Sequence, residues 1–478
     1  MTSTPPSRRA APLAQRVGLA AAIATIVWGA LAFGAVYPWA YWPLIALALT
    51  AAGAGLLTDR ASLQTPGGHA RRSGGPGLIG ALTVVAVVVA LQLVPMPLTA
   101  LRALNPNAIG LLQRLDPAFV FNPRAHALSV WPADTAIALV LFVSFAALLL
   151  GTVRLMAVAG AGLLVEMLIV SGVVLALIGI VQKPLYTGKI YGFWITQQGG
   201  SPFGPFVNRN HFAGWMLMVF PIALGYLFAG LARGMRGVRP GLRNRFLWLS
   251  SPDANKLAMA AMGIGVMALA LVLTMSRSGI GALALSLAIT GWFALRRLPG
   301  RPRKVMAGGY LVLLAALLVG WVGVETLVAR FSQPDWSEFN GRRSAWSDAT
   351  AVFGRHWLTG TGLNTYQVVN VFYQPAGREN FTSAAHNDYV QLAAEGGLLL
   401  ILPVAACMLL LTREVRRRFA EDGESSAYWL RAGAVTGLLA IALQETVEFS
   451  LQIPGNAALF AVVCAIAIHK PPARSAAR

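Results

Sequence analysis

Charged residues are scarce in this chain of 478 residues. They make up 12% of the sequence, against roughly 25% in soluble domains, while 56% of the residues are hydrophobic. Apolar runs of about 18 residues or more recur from end to end, and each can cross about 30 Å of hydrocarbon as a helix. The short alternating segments of a membrane barrel are not seen. We therefore predict an all-α, polytopic integral membrane protein.

Cysteine and metal-binding motifs are also nearly missing. The two cysteines, Cys407 and Cys464, both lie within apolar runs, so neither a disulfide framework nor a cysteine metal site is available. The sequence lacks Asp-x-Asp, His-x-x-x-His and a glycine-rich phosphate loop. We therefore predict that the protein uses neither a metal nor a nucleotide cofactor.

The apolar runs divide the chain into about twelve predicted membrane spans. Lys and Arg are concentrated in the segments that face inward if both termini are cytoplasmic, as expected of an inner-membrane protein. This topology explains the net charge of +20, so a nucleic-acid partner is not needed to account for it. The same charge predicts contact with anionic lipids. The spans are about 17–36, 39–57, 77–97, 135–153, 157–181, 210–231, 257–275, 279–295, 305–324, 389–411, 427–447 and 455–469.

Three polar segments face outward in this topology: 98–134, 182–209 and 325–388. The third is the longest, precedes the last three spans and is partly helical, with Asn340 as the predicted cap of a helix over 341–353. In that helix Arg342 lies one turn before Trp346, so the two side chains are predicted on the same face. The chain divides into an N-terminal unit of about five spans (1–200), a second transmembrane domain that includes the long loop (201–469), and a cytoplasmic tail (470–478).

His386 begins a polar motif that leads from the long loop into a predicted span. A histidine at this position can accept a proton from an attacking hydroxyl, because its ordinary pKa is close to ambient pH. The alternative is an interfacial histidine that only donates hydrogen bonds. Four acidic residues are also predicted at membrane depth, where ionisable groups usually have a function or an arginine partner: Glu166, Glu395, Glu445 and Glu448.

Four arginines, Arg209, Arg277, Arg342 and Arg343, are predicted near the outward ends of spans or in the loop helix. An arginine fork matches the oxygens of a phosphate or pyrophosphate. Simple snorkelling to the interface is the alternative. Asn208 or Asn210 is predicted to cap the sixth span, whose N-terminus favours an anion.

Together these motifs resemble the O-antigen ligase and polymerase superfamily of bacterial inner-membrane glycosyltransferases, over about residues 200–465. No single motif is specific, but their order and spacing are. The motifs are Phe206–Ala213, Ser276–Gly279, Arg342-Arg343 with Trp346, Gly360–Tyr366, His386-Asn387 with Glu395 and Gly397, and Glu448–Ala457.

The resemblance implies transfer of a glycan from undecaprenyl pyrophosphate to an acceptor hydroxyl on the periplasmic side, with inversion and without a metal. His386 would be the base or would orient the acceptor. Arg277, with Arg342 or Arg343, would hold the leaving pyrophosphate. Asn208, Asn387, Glu395 and Glu448 would support these groups.

The resemblance leaves the acceptor open. A ligase uses lipid A–core sugars, a polymerase uses a second carrier-linked glycan, and related enzymes use protein hydroxyls. A flippase for lipid-linked glycans and a structural subunit without activity are alternatives from other classes. The clustering of charge at one face favours an enzyme over a transporter.

Overall fold

The computed structural model describes residues 13–63, 75–196, 200–234, 250–297, 308, 336–375, 382–422 and 426–472. Within these ranges the chain forms helices and isolated bridges but no β-strand, which confirms the predicted all-α class. The long or apolar helices are α1 (Leu13–Leu31), α2 (Pro38–Leu63), α3 (Pro76–Leu91), α7 (Pro132–Ala159), α8 (Gly162–Leu185), α9 (Arg209–Gly234), α10 (Pro252–Leu273), α11 (Arg277–Arg297), α14 (Asp388–Asp422), α15 (Ser426–Gln444) and α16 (Pro454–Ile468).

Eight of the described helices are long and apolar enough to cross a membrane. They are α1, α2, α7, α8, α9, α10, α14 and α15, and the apolar helices α3 and α16 are shorter. The predicted eighth span coincides with α11, whereas the predicted ninth span, 305–324, lies outside the described residues. The chain is therefore a polytopic membrane protein, while the count of twelve spans stays a prediction.

The remaining helices form a small layer outside the bundle. They are α4 (Leu98–Leu104), α5 (Ala108–Leu115), α6 (Pro117–Phe121), α12 (Trp336–Arg355) and α13 (Tyr366–Val369). Their apolar side chains form a second core that joins the segment after α3 to the loop before α14. We call one end of the bundle the loop end. It is the end where the described residues 92–131, 186–196, 200–208, 356–375 and 382–387 lie. The described parts of the three predicted outward segments thus lie at one end of the bundle.

Helix α9 is the centre of the bundle and is the most buried of its long apolar helices. It packs closely on α15, because Gly433 and Gly437 allow the backbones of the two helices to meet at Pro221 and Met218. Close approach through small residues is a usual source of helix association in membranes. This packing fixes the start of α9 relative to the connection between α15 and α16.

The predicted cap of α12 and the predicted end of α14 are wrong. Helix α12 begins at Trp336, so Asn340 lies inside it and is not its cap, because nothing in 336–340 breaks a helical backbone. Helix α14 continues to Asp422, beyond the predicted end at 411. Its last turns are polar but are stabilised by ion pairs one turn apart, which join Arg417 and Arg418 to Glu414 and Glu421.

Helix α14 is broken one quarter of the way along its length. Gly397 has φ +57° and ψ −167°, a conformation that is essentially restricted to glycine. Beyond the break, the N–H groups of Leu398 and Leu399 donate to the carbonyls of Trp357 and Leu358, at 2.8 and 3.0 Å. The loop after α12 therefore supplies bonds that the helix itself cannot make.

The same loop also caps the first part of α14. The N–H groups of Thr361 and Gly362 donate to the carbonyls of Ala394 and Glu395, at 3.3 and 2.9 Å. Gln92, at the end of α3, bonds both to this loop and to the Glu395 carbonyl. Broken backbone at membrane depth is tolerated only where protein groups satisfy it, and this loop meets that need.

We predict that Gly397→Ala destabilises the protein by about 1–3 kcal/mol from backbone strain alone. A Cβ at this position would also lie 2.5 Å from the Leu358 carbonyl group. The measurement is thermal unfolding of the detergent-purified variant.

The control is Gly80→Ala in α3, where an added Cβ meets nothing within 4 Å. It should leave the unfolding temperature unchanged or raise it slightly, since alanine is the better helix former. Equal unfolding temperatures for both variants and the parent would contradict the strain assigned to Gly397.

Candidate active site

The Glu448 carboxylate joins four segments of the chain at the loop end. It lies in the connection between α15 and α16, and its side chain is fully buried. Its Oε1 accepts hydrogen bonds from Arg342 of α12 at 2.6 Å and from Asn210 of α9 at 2.7 Å. Ser278 of α11 approaches the same oxygen at 3.5 Å. A buried carboxylate needs such donors, so Glu448 brings the starts of α9 and α11 together with the loop helix.

His386 lies against the other oxygen of this carboxylate. Its Nδ1 is 3.7 Å from Glu448 Oε2, and its side chain keeps 31% of its surface exposed. His386 has a φ of +51°, which is uncommon outside glycine and is a form of local strain found at functional sites. The Trp346 indole N–H holds this backbone by donating to the His386 carbonyl at 3.2 Å.

The helical spacing that predicted a shared face for Arg342 and Trp346 agrees with the structure, since both reach the same site. The neighbouring Arg343 is exposed. The structure therefore distinguishes the two arginines of the doublet, which the sequence left open, and Arg342 is the one that contacts Glu448.

A second histidine, His211, lies in the same cluster and was missed as a site residue. Its side chain is buried, and its ring packs edge-on against Phe449, with centroids 4.6 Å apart. His386 packs on the same ring at 4.8 Å. His211 lies in the first turn of a predicted span, and no sequence signal indicates the contact with Phe449.

The predicted asparagines act at helix starts. The Asn208 Oδ1 accepts the N–H of Asn210 at 2.8 Å. The Asn387 Oδ1 accepts the N–H groups of Tyr389 and Val390 at 3.0 and 3.1 Å, so Asn387 caps α14. Its Nδ2 also donates to the Thr446 carbonyl at 2.8 Å, which ties His386 to the connection that carries Glu448.

Glu395 has a role different from the one expected. It forms no ion pair with an arginine in the part of the chain that the structure describes. Its oxygens accept the N–H groups of Asn364 and Tyr366, at 2.8 and 3.0 Å, and the Gln391 amide at 3.1 Å. Glu395 thus fixes the Gly360–Tyr366 loop on α14, and it supports the site through the backbone.

The other predicted arginines begin helices beside Glu448. Arg209 is the first residue of α9 and precedes Asn210, and Arg277 is the first residue of α11 and precedes Ser278. Lys183, at the end of α8, lies within electrostatic reach of Arg209 and donates to the Leu273 carbonyl at 2.6 Å. Lys183 was not predicted, although a lysine at the outward end of a predicted span is a signal that the sequence offers. The loop end therefore carries several cations from separate helices.

Glu166, which had no assigned role, lies on the surface of α8, where it accepts a hydrogen bond from the Tyr226 hydroxyl at 3.1 Å. Among the residues described, no group of three or more His, Cys, Asp or Glu side chains is arranged to hold a metal. The expectation of a reaction without a metal stays a prediction.

The electrostatics of Glu448 favour its charged form. Burial acts to raise the pKa of this carboxyl, but His386, Arg342 and His211 together outweigh burial and lower the pKa below its ordinary 4.5. Glu448 is therefore an anion at neutral pH that holds a cation and a histidine beside it.

Residues 262–405 match the family model described as O-antigen ligase. The matched region runs from within α10 into α14 and so contains Arg277, Arg342 and His386, while Asn210 and Glu448 lie outside it. No match is found among curated proteins. The fold and the matched region define a membrane enzyme of the glycosyltransferase type. This match supports the resemblance to the O-antigen ligase and polymerase superfamily that the motifs predict.

We predict that Glu448→Gln destabilises the protein at neutral pH by about 3 kcal/mol, because it removes the buried negative charge that Arg342 and His386 both face. The folded pKa of Glu448 is lowered, so this contribution is present above pH 4.5 and is lost as the pH falls through the folded pKa. Unfolding temperatures measured from neutral to acidic pH should therefore converge for the variant and the parent.

The matched control is Glu421→Gln, at the far end of α14, where the carboxylate is 41% exposed. Its buried partner Arg418 keeps a second ion pair with Glu414, so this variant should lose at most about 1 kcal/mol and unfold close to the parent at every pH. A Glu448→Gln variant with the stability of the parent at neutral pH would contradict the importance given to this carboxylate.

Proposed function

We propose that the protein transfers a glycan from undecaprenyl pyrophosphate to an acceptor hydroxyl at the loop end. The observation that carries this proposal is the meeting of His386, Arg342 and Glu448 at the edge of the helical bundle. A lipid-borne donor can reach this edge from the membrane, and an acceptor can reach it from water. In this proposal the loop end faces the periplasm of a bacterial inner membrane, and both termini are cytoplasmic.

His386 is the proposed base. The carboxylate of Glu448 faces Nδ1 of His386 and favours the tautomer with a proton on Nδ1, which leaves the lone pair of Nε2 for the acceptor. The 3.7 Å separation is longer than a hydrogen bond, and such contacts often tighten only when substrates bind. His386 takes the acceptor proton as the hydroxyl oxygen forms a bond to the anomeric carbon. The bond between that carbon and the phosphate oxygen breaks, and its electron pair stays on the pyrophosphate.

The cations at the loop end are the proposed site for this leaving group. Negative charge grows on the pyrophosphate as its bond to the sugar breaks, so arginines there stabilise the transition state more than the ground state. Arg209 and Arg277 each begin a long helix, and the positive end of the helix dipole adds to their charge. Arg342 holds its guanidinium at the same carboxylate as His386, and a guanidinium fork matches the oxygens of a phosphate.

The acceptor distinguishes the members of this class. A ligase passes the glycan to lipid A–core sugars, a polymerase passes it to a second carrier-linked glycan, and a protein glycosyltransferase passes it to a side-chain hydroxyl. Glycan analysis of cells without the protein separates these reactions. Long polymer left on the carrier indicates a ligase, and single repeat units on the core or carrier indicate a polymerase.

We predict that His386→Ala lowers transfer about 100-fold or more, the range expected when a general base is removed. The protein is reconstituted with a prenyl-pyrophosphate-linked glycan and each acceptor in turn, and the released prenyl pyrophosphate is measured. The control is His126→Ala, a histidine at the same end that bonds to the Ala127 carbonyl and not to Glu448.

The control variant should keep the activity of the parent. Full activity of His386→Ala would exclude His386 as the base. Movement of the carrier-linked glycan across vesicles without release of pyrophosphate, in both the parent and the variant, would indicate a flippase and contradict the enzyme proposal.

We predict that Arg342→Gln lowers transfer by about 100-fold or more, the scale of losing a charged donor at a transition state. Arg343→Gln, its neighbour with the same charge, should stay within about threefold of the parent, because that side chain is exposed. The two variants are compared in the same assay. Equal losses would mean that both arginines contact the donor, and a loss confined to Arg343→Gln would reverse their assignment.

A further inference from the structure

Two carboxyl groups beside the proposed site have no part in the mechanism above. Asp388 is the first residue of α14, two positions after His386. Glu445 directly follows α15, three positions before Glu448. The two carboxyls lie within hydrogen-bonding range of each other, and the Asp388 N–H also donates to the Glu445 carbonyl at 3.1 Å.

One oxygen of each carboxyl accepts a hydrogen bond from a neighbouring group, which holds the carboxyl in place. The Gln452 amide donates to Asp388 Oδ1 at 2.6 Å, and the Ser450 N–H donates to Glu445 Oε2 at 2.7 Å. The remaining oxygen of Glu445 is buried and accepts no hydrogen bond from an N–H or O–H donor among the residues that the structure describes. A carboxylate oxygen in that position is satisfied if it shares a proton with the carboxyl that faces it.

The charges around the two carboxyls also favour a shared proton. Burial, and then the charge of Asp388, raise the pKa of Glu445 well above its ordinary 4.5, and the anionic Glu448 adds to this. The Tyr389 hydroxyl group also lies close to both carboxyls. Neither carboxyl forms an ion pair in the described part of the chain. Two carboxyls so close together cannot both ionise without a large cost in free energy.

We propose that Asp388 and Glu445 share one proton and act as a positioning pair, which holds His386 at its distance from Glu448. The proposal rests on the function proposed above for His386 and Glu448. The seam between the start of α14 and the end of α15 is closed by this pair and by two flanking hydrogen bonds, from Asn387 to the Thr446 carbonyl and from Tyr389 to the Ala442 carbonyl, both 2.8 Å long.

Loss of the shared proton replaces the hydrogen bond between the two carboxyls with repulsion between two negative charges inside this seam. The seam carries His386 on one side and Glu448 on the other, so its opening lengthens the contact that orients the histidine. The raised pKa of Glu445 gives the sign, since the contribution of the pair is present at low pH and is lost as the pH rises through that raised value. Transfer activity should therefore fall as the pH rises above that pKa.

The discriminating variant is Glu445→Gln, which keeps a donor toward Asp388 and has no proton to lose. We expect transfer within about threefold of the parent near neutral pH, with the alkaline loss of activity moved upward by at least about one pH unit. Glu445→Ala, which cannot bridge the seam, should lose about tenfold or more at every pH. Glu421→Gln, at the opposite end of α14, should keep the activity and the pH profile of the parent.

Two outcomes would overturn the proposal. One is a Glu445→Gln variant with an unchanged alkaline limb. The other is a Glu445→Gln variant that folds normally but is as inactive as Glu445→Ala at every pH.

Infrared difference spectroscopy tests the pair without any substrate. The parent should give the carbonyl band of a protonated carboxyl at neutral pH, and Glu445→Gln should lose it. The unfolding temperature of the parent relative to Glu445→Gln should also fall as the pH rises. Absence of the band from the parent contradicts the shared proton even if the enzyme is active. Presence of the band and of the stability difference, with no transfer to any acceptor, means that the proposed function fails and the positioning pair survives.

Discussion

The arrangement of the loop end depends on one buried anion. Glu448 has no contact with water, so its charge is tolerated only because Arg342, Asn210 and the groups around them face it. These partners come from helices that are separated by more than a hundred residues in the sequence. A single carboxylate therefore determines which helix ends meet, and His386 takes its position from the same contact.

A second constraint acts on the backbone. Helix α14 cannot be continuous, because Gly397 leaves the helical conformation and exposes backbone groups at membrane depth. The loop after α12 satisfies these groups, and Gln92 and Glu395 fix that loop from two sides. The polar loop and the apolar span are consequently one structural unit, which explains why His386 can lie at a fixed height relative to the bundle.

Sequence reasoning was sufficient for features that follow from local chemistry. Apolar runs predicted the spans, and helical spacing placed Arg342 and Trp346 on one face. It failed where the outcome depends on contacts between distant segments. The role of Glu395 and the burial of His211 follow from partners brought in by folding, and no local pattern encodes them. The end of α14 was missed because ion pairs extend the helix past its apolar part.

The break in α14 also bears on the order in which the chain is assembled during synthesis. The loop segment that hydrogen-bonds to the broken helix precedes α14 in the sequence. Gln92 and Asn105, which donate hydrogen bonds to this loop, are synthesised much earlier. The helix enters the bilayer with unsatisfied backbone groups unless the outer layer is already in place, and each such group costs several kcal/mol in lipid. Folding of the loop end is then a condition for stable insertion of α14, and the last three helices complete the bundle after it.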